Sequence, residues 1–192
     1  ARPQYMGFHP EPELGVVISR LVRNIDPAKG MDYVYGYTII NDVTGNDMRA
    51  QDRVHYYALY PRPDNPDEVE KREQHLSYTA RYKGADCFGP MGPWLVTRDE
   101  VADPQKLDMW LEVDGHRYQN GSTETMVYGV KFLIHYLSQF MSLQPGDIIS
   151  TGTPPGVGMG IKPDPIFLKA GQTMKLGIAG LGEQQQTTVD AA

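Results

Sequence analysis

The alternation of apolar and polar positions along the chain predicts mostly strands. Residues 9–18 read as an opening strand in which Leu14, Val16 and Ile18 share one face and Glu11, Glu13 and Gly15 share the other. After a basic stretch at 20–29, residues 32–42 are rich in β-branched and aromatic types. They predict a strand buried on both faces for most of its length and ended by Asp42. Thr44 is placed to cap a short helix through Asp47 and Met48. Residues 106–113 alternate cleanly, with Leu107, Met109, Leu111 and Val113 inward, and Asp114-Gly115 is a tight-turn pair that predicts a returning arm at 116–119. Residues 167–181 predict another hairpin, turning at Ala170-Gly171, and a polar tail starts near Gln184. The first eight residues predict no element.

One long helix is predicted over 123–141. Met126, Val130, Leu133, Leu137 and Phe140 fall on one stripe at helical spacing, and Ser122 or Thr123 caps its start. The stretch from 52 to 82 turns polar. Pro61, Pro63 and Pro66 followed by the charged run 67–75 predict a stiffened surface loop and then a short exposed helix. Tyr56, Tyr57 and Tyr60 in it call for a packing surface, on this domain, on a partner, or as a lid over a substrate.

Composition narrows the class. The 192 residues suffice for one domain with a sizeable core. A hydrophobic content of 40% with 22% charged residues is that of a globular protein, and 20 glycines with 15 prolines favour a loop-rich β architecture over a helical bundle. The formal charge of −6 argues against nucleic acid as the main partner, because phosphate binding needs a basic face. The single cysteine, Cys87, leaves no internal disulfide, and no apolar run approaches the ~20 residues of a membrane span. A cytoplasmic location is the expectation.

Glu11 and Glu13, two apart on one strand face, repel each other unless a cation sits between them, and Pro12 holds Glu11 extended. Mg²⁺ suits such all-oxygen donors, with Asp42 as a possible third; an exposed acidic strand edge is the competing reading. Lys83 enters a Gly/Pro-dense loop (83–94) and is either an anion anchor or a solvated surface lysine. Cys87 has no histidine near it in sequence and reads as an inert small residue. Residues 148–150 predict a short strand running into Thr151-Gly152-Thr153-Pro154-Pro155-Gly156-Val157-Gly158, whose hydroxyls and backbone N–H groups suit a carboxylate or phosphate. It is not a Walker loop: no Gly-Lys-Ser/Thr is present. His116 is expected at an exposed turn, and His135 lies off the helical stripe.

Together, Glu-x-Glu-Leu-x-x-Val-Ile from Glu11, Tyr-Thr-Ile-Ile-Asn-Asp-Val-Thr to Thr44, Lys-Gly-Ala-Asp-Cys-Phe-Gly-Pro-Met-Gly-Pro-Trp from Lys83, and Leu-x-Pro-Gly-Asp-Ile-Ile-Ser-Thr-Gly-Thr-Pro-Pro-Gly-Val-Gly to Gly158 resemble the fumarylacetoacetate hydrolase superfamily. The match runs from about residue 11 to 181 in the family's motif order. The stretch 88–160 is most similar to the branch that cleaves 2,4-diketo-3-deoxy sugar acids such as diketo-deoxyrhamnonate, with acylpyruvate hydrolases as near neighbours.

The resemblance implies an α+β, mainly β fold: mixed sheets rolled into a sandwich-like barrel with one long helix, usually a homodimer. It implies a single catalytic domain over 1–192 and a Mg²⁺ or Mn²⁺ site with Glu11, Glu13 and Asp42 as ligands. It makes Lys83 the catalytic and substrate-anchoring group, with Thr153 and Gly152 holding the substrate carboxylate. The substrate would be a small 2,4-diketo acid, cleaved to pyruvate through an enolate held by the metal and Lys83.

Decarboxylation of oxaloacetate and a hydroxymuconate-type isomerisation use the same intermediate and are the alternatives, and a non-catalytic metal- and oxoacid-binding domain is the alternative of another class. Two departures stand out. Relatives carry a His-x-x-Glu pair on a lid before the Glu-x-Glu strand, and nothing before Glu11 here supplies it, so either the lid is absent or the base differs. Relatives also read Ala-Arg-Asp-x-Gln after the third ligand, where this chain reads Gly45-Asn46-Asp47-Met48-Arg49 and moves the expected basic substrate contact to Arg49.

Overall fold

A computed structural model describes residues 7–190. Two four-stranded antiparallel sheets form its body. The first is built on β2 (Pro12–Ile18) and β3 (Val34–Asn41), with β10 (Ile148–Ser150) outside β2 and β7 (Met91–Thr97) outside β3. The second has the order β12 (Gly182–Thr187), β11 (Thr173–Ile178), β8 (Asp108–Val113), β9 (His116–Ser122). Leu14, Val16, Ile18, Tyr37 and Ile39 of the first sheet pack against Met109, Leu111, Val113, Leu176 and Ile178 of the second in one continuous core. The result is a mainly β sandwich, as expected, and its described strands do not close into a barrel.

The predicted alternation of β2 is what the sheet uses. Leu14, Val16 and Ile18 are sealed in the core, while Glu11 and Glu13 point the other way. Because β2 lies between β10 and β3, Glu13 is not at a sheet edge. The β8–β9 hairpin turns at Asp114-Gly115, both left-handed (φ 50° and 80°), the conformation of a tight two-residue turn.

Several expectations are corrected. The long helix is only α3 (Val130–Ser138), preceded by a 3-10 turn at Thr123–Thr125 that Ser122 caps. Gly129 precedes it with extended backbone (φ −74°, ψ 167°) and ends any continuation towards Met126. Its buried face is Val130, Ile134 and Ser138, and Phe140 of the predicted stripe is exposed.

The 52–82 stretch is not a loop and helix. It is a two-stranded ribbon, β5 (Arg53–Pro61) paired with β6 (Val69–Ser77), followed by the short α2 (Thr79–Lys83). The supposed tail at Gln184 lies within β12, and the β11–β12 turn sits at 179–181 rather than at Ala170-Gly171. Gln184 is buried and donates to the Ile39 and Gly92 carbonyls at 2.9 and 2.8 Å, tying the sheets together. Before β2, the two-residue strand β1 (Phe8–His9) pairs with β4 (Thr44–Gly45), which runs into α1 (Asn46–Gln51). Thr44 does not cap α1; Gly45 occupies that position.

Candidate metal centre

β2 and β3 pair antiparallel with Pro12 opposite Asn41, which puts Glu11, ahead of one strand, beside Asp42, at the exit of the other. The Asp42 N–H donates to the Glu11 carbonyl at 2.9 Å, and the Glu11 N–H donates to Asn41 Oδ1 at 3.0 Å. Glu13 follows two residues along the same face. One carboxylate oxygen from each of Glu11, Glu13 and Asp42 lies within 4.8 Å of the others. Lys83, at the end of α2, points in from the far side, its Nζ 2.6 Å from Asp42 Oδ2 and 3.2 Å from Glu11 Oε2.

The two glutamates are held from behind. Glu13 is almost fully buried; its Oε2 accepts from the Ser150 hydroxyl and, at 2.9 Å, from the Gly152 N–H. β10 and the loop that leaves it supply these contacts, because Ser150, at the end of β10, pairs with Gly15, two residues after Glu13. Glu11 Oε1 accepts from the Thr44 hydroxyl and lies 2.8 Å from His9 Nε2, and the β1–β4 pairing sets His9 opposite Thr44 so that both converge there. On the other side of the ring, Asn46 Nδ2 lies 2.7 Å from His9 Nδ1 and donates to the Gly7 carbonyl at 3.0 Å. A carbonyl can only accept, so the amide nitrogen is the Asn46 atom facing His9. That leaves Nδ1 as the acceptor and puts the proton on Nε2, aimed at Glu11.

The electrostatics follow from this packing. Burial, with a lesser push from Asp42 and Glu11, raises the pKa of Glu13 despite its bonds to Ser150 and Gly152. Burial would raise Glu11 too, but His9, Thr44 and Lys83 outweigh it and hold that carboxyl below the usual range. Burial would lower Lys83, yet Asp42 and Glu11 overcome it and keep the ammonium charged. Three carboxylates against one ammonium leave two negative charges on oxygen donors alone, a set whose charge and hardness fit a divalent cation such as Mg²⁺ or Mn²⁺.

The remaining predicted residues are placed less directly. Thr153 Oγ1 accepts from Gln119 Nε2 at 3.0 Å, which leaves its own O–H to donate. The Gly152 N–H is committed to Glu13, and its φ of 97° is the left-handed turn that lets the loop reach back. Arg49 stands on the exposed side of α1 and is not among the hydrogen-bond partners of the carboxylates. Cys87 is exposed, in the loop after Lys83. The threonine loop, with Met126, Tyr128 and Leu133, lines a cleft of about 410 Å³. Sequence reasoning missed His9, Thr44, Asn46 and Ser150 as supports. His9 was legible, since 9, 11 and 13 alternate onto one face; Thr44, Asn46 and Ser150 depend on strand pairings that no local pattern reveals.

A model of the fumarylacetoacetate (FAA) hydrolase C-terminal family matches residues 1–189. The chain belongs to the fumarylacetoacetate hydrolase family. Among curated relatives of this family, a provisionally named hydrolase of Burkholderia cenocepacia is 55% identical over 181 residues, which cover 94% of this chain and 56% of that protein. The chain therefore spans a little over half the length of the curated relatives it matches.

Among solved structures, the fumarylacetoacetate hydrolase of Exiguobacterium antarcticum superposes with a TM-score of 0.79 at 32% identity, over 97% of this chain and 58% of that one. Maleylpyruvate hydrolase of a Sphingobium species, in complex with manganese(II) and pyruvate, gives 0.71 at 30% identity, over 95% and 55%. The 5-carboxymethyl-2-hydroxymuconate delta-isomerase of Mycobacterium smegmatis gives 0.74 at 30%, over 98% and 61%. The scaffold is thus one that carries both hydrolases and isomerases, and one neighbour is seen with a divalent metal.

Proposed function

We propose that this chain is the catalytic domain of a Mg²⁺- or Mn²⁺-dependent hydrolase that cleaves a C–C bond of a 2,4-diketo acid, an acylpyruvate or diketo-deoxy sugar acid, and releases pyruvate. The observation that carries the reading is the convergence of Glu11, Glu13 and Asp42 on one another with the Lys83 ammonium beside them. Those three carboxylates would hold the ion, which when bound supplies a Lewis acid for the substrate's α-keto acid oxygens. The manganese and pyruvate of the maleylpyruvate hydrolase complex support both the metal and the product.

The chain's own groups have defined tasks. Lys83 stays protonated and offers its N–H bonds to the oxygen on which enolate charge builds as the C3–C4 bond breaks. Thr153, oriented by Gln119, donates its O–H to the substrate carboxylate, and Gly152 sets the loop that carries it. Arg49 is an outer contact for an anionic substrate. Water adds to the C4 carbonyl, C3 leaves as pyruvate enolate and is protonated, and the acyl part departs as a carboxylic acid. The homodimer and the cytoplasmic location belong to the same proposal; among the described residues no helix is long and apolar enough to cross a membrane.

The isomerase neighbour favours a second reading, in which the same groups stabilise a dienolate without water addition. Assaying the protein on acylpyruvates, diketo sugar acids, hydroxymuconate-type acids and oxaloacetate, with Mg²⁺ and then with EDTA, separates the possibilities. Metal-dependent pyruvate release from a diketo acid is the expected result. Double-bond migration alone would make it an isomerase, and CO₂ from oxaloacetate a decarboxylase. No turnover despite Mg²⁺ binding would make it a binding domain.

A further inference from the structure

The β5–β6 ribbon carries a second cluster of metal-ligating side chains, apart from the carboxylate centre and made of different atoms. His55 and His75 are direct partners across the two strands, so both side chains leave the same face at opposed positions. Glu73, two residues before His75, shares that face. His55 Nδ1 lies 3.2 Å from Glu73 Oε1, and the two imidazole centroids are 4.3 Å apart, edge to face. One donor atom from each of the three lies within 4.8 Å of the others, and all three side chains are exposed. On the same face, Lys71 rests its ammonium over the Tyr57 ring at 3.9 Å, so that cation is held on an aromatic surface.

We infer that His55, Glu73 and His75 form a surface site for a borderline divalent transition-metal ion of the Zn²⁺, Ni²⁺ or Cu²⁺ class. Imidazole nitrogens favour these ions and carry little advantage for Mg²⁺, which prefers oxygen donors. Two imidazoles and a carboxylate are the donor types of three-ligand zinc sites, with the remaining coordination position left to water. The two centres thus differ in the ions they select: oxygen only at Glu11, Glu13 and Asp42, nitrogen-rich on the ribbon.

The site also has a structural consequence. Among the described residues β5 and β6 pair only with each other, and a two-stranded ribbon on its own is marginally stable in water. An ion ligated from both strands binds only when they are in register, so by linkage it stabilises the ribbon.

The test uses the whole chain saturated with Mg²⁺. Zn²⁺ is titrated calorimetrically into the wild type, into His55→Ala/His75→Ala and into Glu13→Ala, and Co²⁺ is added in parallel to read the visible bands of a low-coordinate nitrogen-ligated site. The expected result is one Zn²⁺ equivalent, with those Co²⁺ bands, that the double histidine variant loses and Glu13→Ala keeps. Circular dichroism is recorded to check that the exposed substitutions leave the fold intact, and Glu73→Gln, which removes only the charge, should weaken the same equivalent. Unchanged Zn²⁺ uptake in the double variant overturns the inference. So does Zn²⁺ uptake that disappears only in Glu13→Ala. Neither result depends on whether the carboxylate centre releases pyruvate.

Discussion

Glu13 and Lys83 show how much of the proposed chemistry is set by single side chains. Glu13 is buried, acid-weakened and held by Ser150 and Gly152, so its remaining oxygen is fixed in direction. Lys83 is tied to two of the other carboxylates yet stays partly exposed, as a group that also meets substrate must. Lys83→Ala should therefore weaken binding of oxalate, which mimics pyruvate enolate, while leaving Mg²⁺ bound; unchanged oxalate affinity would return Lys83 to a surface role. Tyr37 makes a separate case. Its hydroxyl is fully buried and has no hydrogen-bond partner among the described residues, and burial, opposed by Arg98 and helped by Asp103, raises its pKa from 10.0 to about 12. A raised folded-state pKa stabilises the protein below the unfolded value and is lost as pH climbs towards the folded one. Tyr37→Phe should leave the protein equally or more stable at neutral pH, by up to about 1–3 kcal/mol, the cost of an unmade buried hydrogen bond. It should also flatten the loss of stability that the wild type is expected to show between pH 10.0 and about 12, as read by urea titration across that range. A clear loss of neutral-pH stability in the variant would contradict this.

Among the elements, β3 carries the most, since it links β2 to β7 and leads directly into Asp42. Gly36 is where β7 comes closest: a Cβ there would stand 2.3 Å from the Val96 carbonyl oxygen and 3.1 Å from Thr97 Cα. Gly36→Ala must push the strands apart, and an unfolding free energy lower by roughly 1–3 kcal/mol is expected from denaturant titration; an unchanged value would show that β7 yields freely. The strands with a buried face were legible because alternation reports burial directly, as in β2 and β8. The ribbon was not, since both of its faces meet solvent and its second strand is rich in Glu, Lys and Arg, good helix formers. The helix was read too long because a stripe of spaced apolar residues outweighed Gly129. The turn geometry there limits α3 to Val130–Ser138.

At the scale of the molecule, the order of motifs was enough to place the chain in its family, because Glu11, Asp42 and Lys83 are far apart in sequence and meaningful only together. Their convergence needed the β2–β3 register and the position of α2, which no local pattern contains. Phe132 and Tyr136 on the outer face of α3, with Tyr128 before the helix and Phe140 after it, stand ring against ring with centroids 4.5, 5.9 and 5.3 Å apart, an apolar row of the kind that marks association surfaces. Sedimentation should accordingly give a dimer; a monomer at all concentrations would remove the homodimer from the account. The claim on which the rest depends is that Glu11, Glu13 and Asp42 hold a divalent cation. Calorimetric titration of Mg²⁺ or Mn²⁺ into metal-stripped wild type and Glu13→Ala tests it most directly. One ion per chain in the wild type, lost in the variant while circular dichroism stays unchanged, is the predicted result. Equal uptake by both proteins would contradict it.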